Sequence, residues 1–261
     1  MMDDYVINND ITFLAKSEIR LKILSELQKK PKSVKELVNV TNITYSSISS
    51  NLTKLEENNH ITKKKNKYYL NPLSEIYYET LMDFKISVDL INDFNDFWSN
   101  HNIDQLSIDS VQNIIDLKGC KLVETTPLDI YKTHEVNKEN ILNSNNIKAI
   151  FPYLHPEYPH LLENILKRQG QVELIIPKNM FRKLIFKINT KVRKNAAKSG
   201  KLKVYTTQDD LKVYLTLCDN TMSLGLFKND GSFDQNRLLI SKSEESQFWA
   251  ENLFETIKQE V

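Results

Sequence analysis

Tyr45, Ser46, Ser47, Ser50, Thr53 and Lys54 crowd into one short stretch, and Lys63, Lys64, Lys65 and Lys67 follow soon after. Hydroxyls and ammonium groups at this density suit one chemistry above others: hydrogen bonds and charge offered to phosphate oxygens and base edges. Spacing supports this. Ile48, Leu52 and Leu55 recur at i, i+4 and i+7, so they share one face of a helix over residues 45–57. Ser46, Ser50, Thr53 and Lys54 fall on the opposite face, with Ser47 beside them and Tyr45 at the edge. Ser and Thr are mediocre helix formers. A face built from them makes sense where the start of a helix must approach phosphates and bases closely.

The flanking elements predict how this helix is held. Ser33 and Glu36 make a capping box. A short helix follows, with Val34, Leu37 and Val38 on one side, then a turn over 40–43, then Thr44 as the cap of the second helix. Residues 60–70 read as two short strands around Lys65-Asn66, a hairpin with a basic tip. Helix, turn, helix and basic hairpin together make a winged helix-turn-helix. Residues 28–69 hold nine Lys/Arg and three Asp/Glu, a net charge of +6, whereas the whole chain carries only +1. Positive charge concentrated on one unit is the footprint of phosphate binding. Double-stranded DNA is the expected partner. A protein-binding winged helix, or a three-helix domain with an ordinary hairpin, is the alternative.

Ser17 is expected to cap the first long helix of this domain, which carries Ile19, Ile23, Leu24 and Leu27; Asn9 or Asp10 would cap a shorter piece over 11–15. After the hairpin, Asn71-Pro72 stops the strand, and a long helix is predicted over 74–98. It has two apolar stripes. Tyr77, Leu81, Phe84, Val88, Ile91 and Trp98 follow a 4-3-4-3 spacing with Asn95 in the sixth slot; Met82, Ile86, Leu90 and Phe94 form the other. A helix apolar on two sides is covered on two sides. The first stripe reads as a short homodimer seam, or as the centre of a monomeric core. The domain boundaries follow: residues 1–72 as the DNA-binding domain, 73–99 as the connecting and dimerisation helix, and 100–261 as an α/β effector domain.

That last domain alternates helices and strands. Gly119, Gly170 and Gly200 each precede an apolar run, as C′ glycines that end a helix before a strand. Strands are expected near 147–151 and 237–240, with an antiparallel hairpin over 211–227 that turns at Asp219-Asn220. Helices are expected near 157–168, over 178–198, and from a Ser243 cap to the end, where Phe248, Trp249, Leu253, Phe254 and Ile257 lie. The fold class is thus α+β in the winged-helix part and α/β with a mixed sheet in the remainder. Tyr153, His155, Tyr158 and His160 follow a strand and enter a helix, where open α/β sheets bind ligands. They read as a site for a polar or anionic effector, or as a rigid Pro-shaped turn. Lys178, Arg182, Lys183, Lys187 and Lys191 mark the basic face of one helix, either a solvated face or an attraction for an anionic effector or more DNA.

Composition and motifs exclude several classes. Hydrophobic content of 40% and charged content of 26% over 261 residues suit a globular protein. No run of 18 apolar residues is present, so no membrane span is expected. The acidic start, Met1-Met2-Asp3-Asp4-Tyr5, lacks the apolar stretch of a signal peptide. Cys120 and Cys218 are isolated and read as buried thiols of a reduced, cytoplasmic protein. There is no P-loop, dinucleotide glycine motif, Cys-x-x-Cys or His-Glu-x-x-His, and no histidine begins the His-x-Lys of phospholipase D. No catalytic residue, metal site or cofactor is expected. An enzyme or ligand-binding domain merely localised by the winged helix is the competing reading.

The layout resembles an archaeal regulator family that joins an ArsR-like winged helix, a long helix and the middle domain named after a methanogenesis regulator. The resemblance rests on residues 18–24, 47–55 and 147–152, on Leu224-Gly225-Leu226-Phe227, Gly231, Leu238-Leu239 and Trp249-Ala250. It implies transcription control through a small-molecule effector, and a second domain similar to the degenerate phospholipase D-like unit of TrmB-type regulators. ArsR-type metal sensing is disfavoured, because both cysteines lie outside the winged helix and soft-metal sites need clustered ligands.

Overall fold

The computed structural model describes residues 8–261, so the residues read for a signal peptide lie outside it. The chain forms two compact units with the boundary between Ile86 and Ser87.

The first unit begins with α1 (Asn9–Ala15) and α2 (Glu18–Lys29). Asn8, rather than Asn9 or Asp10, caps α1, its side chain accepting from the Asp10 N–H. Ser17 caps α2 as expected. The Ser33–Glu36 capping box opens α3 (Val34–Thr41), which ends at Asn42 in the left-handed conformation, φ +55°. Thr44 caps α4 (Tyr45–Glu57). Ile23, Leu24, Leu37, Ile48, Leu52 and Leu55 are fully buried between these helices, so burial of the predicted stripe sets which face of α4 is left outside. Strands β1 (Ile61–Lys64) and β2 (Lys67–Leu70) pair antiparallel in the Lys64–Lys67 register, with Lys65 at φ +56° in the two-residue turn.

Helix α5 (Pro72–Asp93) starts two residues earlier than predicted, because proline is tolerated in the first helical turn. It also stops before Trp98. The chain breaks at Phe94 and resumes as α6 (Asn95–Asn100), where Asn92, Asp93 and Asn95 are weak helix formers. Residues 73–99 are not a separate segment: Tyr77, Leu81 and Met82 pack into the first core, whereas Leu90, Phe94, Phe97 and Trp98 pack into a core of the second unit. Two members of the predicted seam, Tyr77 and Leu81, are therefore intramolecular. Phe84, Val88 and Ile91 remain exposed.

The second unit runs β3 (His101–Asn102), α7 (Ile108–Gln112), β4 (Lys121–Glu124), α8 (Lys132–Asn143), β5 (Asn146–Ile150), α9 (Tyr158–Lys167), β6 (Gln171–Pro177), α10 (Lys178–Ile185), α11 (Thr190–Lys198), β7 (Leu202–Thr207), β8 (Val213–Cys218), β9 (Thr221–Lys228), β10 (Arg237–Ser241) and α12 (Glu244–Gln259). One mixed sheet results, in the order β4-β10-β9-β8-β5-β6-β7, with β3 added beside β9. Strands β5, β6 and β7 are parallel and the other pairs antiparallel. Both faces are covered. Ala149, Leu174 and Tyr214 point to a core with α8 to α11, while Ile150, Ile175 and Leu215 point to one with α12. Strict alternation with both sides apolar is what a sheet covered on two faces requires.

Two expectations fail in detail. The helix over 178–198 is two helices, because the Asn189 side chain accepts from the Lys191 and Val192 N–H groups and starts α11 afresh. Gly119 and Gly200 have the positive φ expected after a helix, but at the third junction Gln169 takes it, at φ +67°. Gly170 is required for space instead: a Cβ there would lie 1.8 Å from the Asn145 carbonyl oxygen.

Candidate functional site

Burial of Ile48, Leu52 and Leu55 turns the hydroxyl face of α4 outward. Tyr45, Ser46, Ser50, Thr53 and Lys54 are exposed and Ser47 is half-buried. The first turn is occupied by its own cap. The Thr44 hydroxyl donates to Ser47 Oγ at 3.0 Å and lies 3.3 Å from Ser46 Oγ. Thr53 donates to the Ser49 carbonyl. The Ser50 hydroxyl and the Lys54 ammonium make no hydrogen bond or ion pair among the described residues, so these two side chains are free to meet another molecule.

On the hairpin, Lys63 Nζ lies 5.4 Å from the Tyr68 ring centre and Lys64 Nζ 5.6 Å from that of Tyr69. Both tyrosine rings support their lysines by cation–π attraction. Lys65 and Lys67 are exposed and unpaired among the described residues. The hairpin is anchored by Lys32, whose backbone N–H and carbonyl pair with Tyr68 at 3.3 and 2.9 Å. The Lys32 side chain is buried against Glu26 at 3.2 Å. One of the nine basic residues counted above therefore serves the fold and not an external anion. His60, at the hairpin base, is buried too. It bonds Ser74 through Nδ1 at 3.0 Å and stacks on Phe13, and burial lowers its pKa below the ordinary value.

In the second unit, the segment after β5 closes one side of a cavity of about 690 Å³. Tyr153, Tyr158, Tyr214 and Phe233 form its aromatic wall; the Tyr153 and Phe233 ring centres are 4.6 Å apart. Phe233 can lie there because Gly225 has no side chain, since a Cβ at 225 would sit 3.1 Å from the Phe233 ring. In the cavity wall, Asn137 donates to the Tyr214 hydroxyl and accepts from the fully buried Thr216 behind it at 3.2 Å, and Tyr158 donates to Tyr153 at 3.3 Å. Burial pushes all three tyrosine hydroxyls well above their ordinary pKa, so they remain neutral hydrogen-bonding groups.

The mouth of the cavity is charged. Glu157 accepts from Lys138 Nζ at 2.5 Å and His134 Nε2 at 2.7 Å, and these two hold its pKa down at about 2. His155 lies with its ring centre 4.0 Å from that of His134. Burial, and then the neighbouring His134, lower its pKa. His134, His155 and Glu157 present ligand-type atoms within 4.8 Å of one another, but the Lys138 ammonium already supplies the cation to this carboxylate.

The cavity gathers three of the four predicted ligand residues, Tyr153, His155 and Tyr158. His160 is not among them. It is exposed on α9 and 3.2 Å from Asn164, because a position two residues beyond Tyr158 on a helix faces away from it. Sequence reasoning missed His134, Lys138 and Asn137, which share one face of α8 at i, i+4 and i+3. That spacing was readable, but nothing local says which cavity the face meets. Tyr214 and Phe233 carried no signal at all. Both cysteines are buried, and burial raises their thiols to about 11 for Cys120 and about 12 for Cys218, which leaves them unreactive. No helix among the described residues is long and apolar enough to cross a membrane.

Residues 130–260 match the family model described as "Methanogenesis regulatory protein FilR1, middle domain", and residues 8–92 match the "HVO_A0261 N-terminal domain". A curated relative, the methanogenesis regulatory protein FilR1 of Methanothrix harundinacea (strain 6Ac), is 24% identical over 257 residues. The match takes in 97% of this chain and 58% of the relative, so the chain spans less than two thirds of that protein's length. Among solved structures, TrmBL2, an archaeal chromatin protein, aligns with a TM-score of 0.42 and 13% identity over 96% of this chain and 97% of that one. CalO1, a methyltransferase in calicheamicin biosynthesis, aligns at 0.25 and 12% over 76% and 62%. Scores this low carry no functional weight.

Proposed function

Because the chain belongs to the family defined by the middle domain of the methanogenesis regulatory protein FilR1, we propose that it is a DNA-binding transcription regulator. The first unit acts as a winged helix-turn-helix, with α4 in the major groove and the β1–β2 hairpin on the phosphate backbone. The observation that carries this reading is the exposed pair Ser50 and Lys54 beside a hairpin tip with four lysines. The exposed apolar residues Phe84, Val88 and Ile91 on α5 support a homodimer, which would read two half-sites about one turn, roughly 34 Å, apart. The second unit acts as the effector domain, a degenerate phospholipase D-like sheet that binds rather than catalyses. Its aromatic cavity with a Glu157–His134–Lys138 mouth suits a small polar effector.

The test is an ionic-strength titration of DNA binding by the full chain and by a variant with Lys63, Lys64, Lys65 and Lys67 all replaced by Ala. Each lost phosphate contact should make the dependence of log K on log salt shallower by about 0.9. An unchanged slope would remove the hairpin from the interface.

A further inference from the structure

We infer that α10 and α11 form a second nucleic-acid-binding surface, one that grips the phosphodiester backbone of duplex DNA without reading sequence. Residues 178–203 contain ten Lys/Arg and not one Asp/Glu, a denser block of charge than the 28–69 segment. The structure shows how these charges are displayed. Met180, Leu184 and Ile185 bury one side of α10, so Lys178, Arg182 and Lys183 line the outer side. Ala196 anchors α11, which leaves Lys191, Lys194 and Lys198 exposed at i, i+3 and i+7. Lys187 is exposed in the link between the two helices. None of these seven makes an ion pair or a hydrogen bond through its side chain among the described residues.

The two helices are held as one surface by an eighth basic residue of the block, Arg193. Arg193 of α11 donates to the Ile185 carbonyl of α10 at 3.1 Å, and its guanidinium lies 4.3 Å from the ring centre of Phe186. Phe186 is itself 62% exposed, an aromatic set among lysines. The nearby acids are already engaged: Glu163 with Lys167 and the Asn189 N–H, Glu173 with Lys258. No acidic side chain among the described residues pairs with any of these seven, and residues 178–203 contain none to offset their mutual repulsion locally, so the charge is available to something outside the unit. A small anion needs a concave site with convergent donors; Lys183 borders a cavity of about 700 Å³, but Lys191, Lys194 and Lys198 are spread along the exposed face of α11 and do not converge. A regularly spaced polyanion does fit them, because duplex DNA presents one negative charge about every 1.7 Å along its axis. Lysine acts there as a point charge and carries no base preference.

The choice of DNA rests on the reading that the chain is a DNA-binding regulator. The experiment uses the full chain and a random-sequence duplex. One variant replaces Lys187, Lys191, Lys194 and Lys198 with Gln, a second carries the four hairpin Ala substitutions, and a third carries both. A control replaces the exposed Lys118, Lys121, Lys132 and Lys242 with Gln, removing equal net charge elsewhere. The α11 variant should lose roughly 3 to 4 from the salt slope, and on the order of a thousandfold in affinity at about 0.1 M salt, with the control near wild type. The same decrement should appear on top of the hairpin substitutions. Wild-type slope in the α11 variant with a loss in the hairpin variant would overturn this inference and leave the hairpin reading intact. A loss in the α11 variant alone would uphold it and remove the hairpin. Equal losses in variant and control would reduce the effect to net charge and overturn it, as would a loss seen on single-stranded RNA but not on the duplex.

Discussion

The outer face of α4 and the cavity beside β5 hold the same kinds of side chain, hydroxyls, amides and charged groups, and dispose of them in opposite ways. On α4 and the hairpin, Ser50, Lys54, Lys65 and Lys67 point to solvent with no partner among the described residues. In the cavity wall and behind it, Asn137, Tyr214, Thr216, Tyr158 and Glu157 are each hydrogen-bonded to one another or to a neighbour. The difference teaches where each group's free energy is spent. An exposed unpaired group adds almost nothing to folding, and its interactions remain available to a second molecule. A buried paired group is part of the fold, and a ligand can engage it only by exchanging one partner for another.

The comparison breaks most easily at Asn137. Replacing it with Leu leaves the Tyr214 and Thr216 hydroxyls buried without their amide partner. At about 1–3 kcal/mol for each buried group left unsatisfied, the second unit should lose roughly 3 kcal/mol. Trp98 and Trp249 both lie in that unit, so urea unfolding followed by tryptophan fluorescence reads it directly. A midpoint equal to wild type would show that the network is not structural.

Gly225→Val sharpens the contrast with a smaller effect. The new side chain meets Phe233 and the Leu238 methyl at 3.0–3.2 Å, and overpacking of this kind costs about 1–3 kcal/mol. Adding Phe233→Leu should recover part of the loss in the same fluorescence assay. No recovery would mean that Phe233 is not what the glycine accommodates.

The smallest change falls on the other region. Ser50→Ala should leave thermal stability within about 0.5 kcal/mol, since alanine is the better helix former. It should lower discrimination between the operator and random duplex by about 1–3 kcal/mol if Ser50 contacts a base. Footprinting that shows wild-type selectivity would put a different face of α4 in the groove.

Much of the first unit was legible in the chain because it is built from short-range rules. The Ser33–Glu36 box, the Thr44 cap, the Ile48–Leu52–Leu55 stripe and the Lys65-Asn66 turn each depend on residues a few positions apart, and each recurs in the structure. The hairpin of β8 and β9, with its Cys218–Thr221 register, was legible for the same reason. Long-range choices were not. The two apolar stripes of α5 were visible, yet only packing divided them, taking Tyr77 and Leu81 into one core, Leu90 and Phe94 into another, and leaving Phe84 outside.

The amino-acid sequence by itself determined the local elements, their caps and the outward face of α4, because each follows from spacing along one helix or turn. Only the tertiary structure decided that Asn137 meets Thr216 and Tyr214, 79 and 77 residues away in the chain. It also decided that Lys32 is buried beneath the hairpin, that His160 faces away from the cavity, and that Gly170 is needed for space rather than for its φ. Each of these depends on which strand lies beside which. That order is set by burying both faces of the sheet at once, a condition no single stretch of sequence contains.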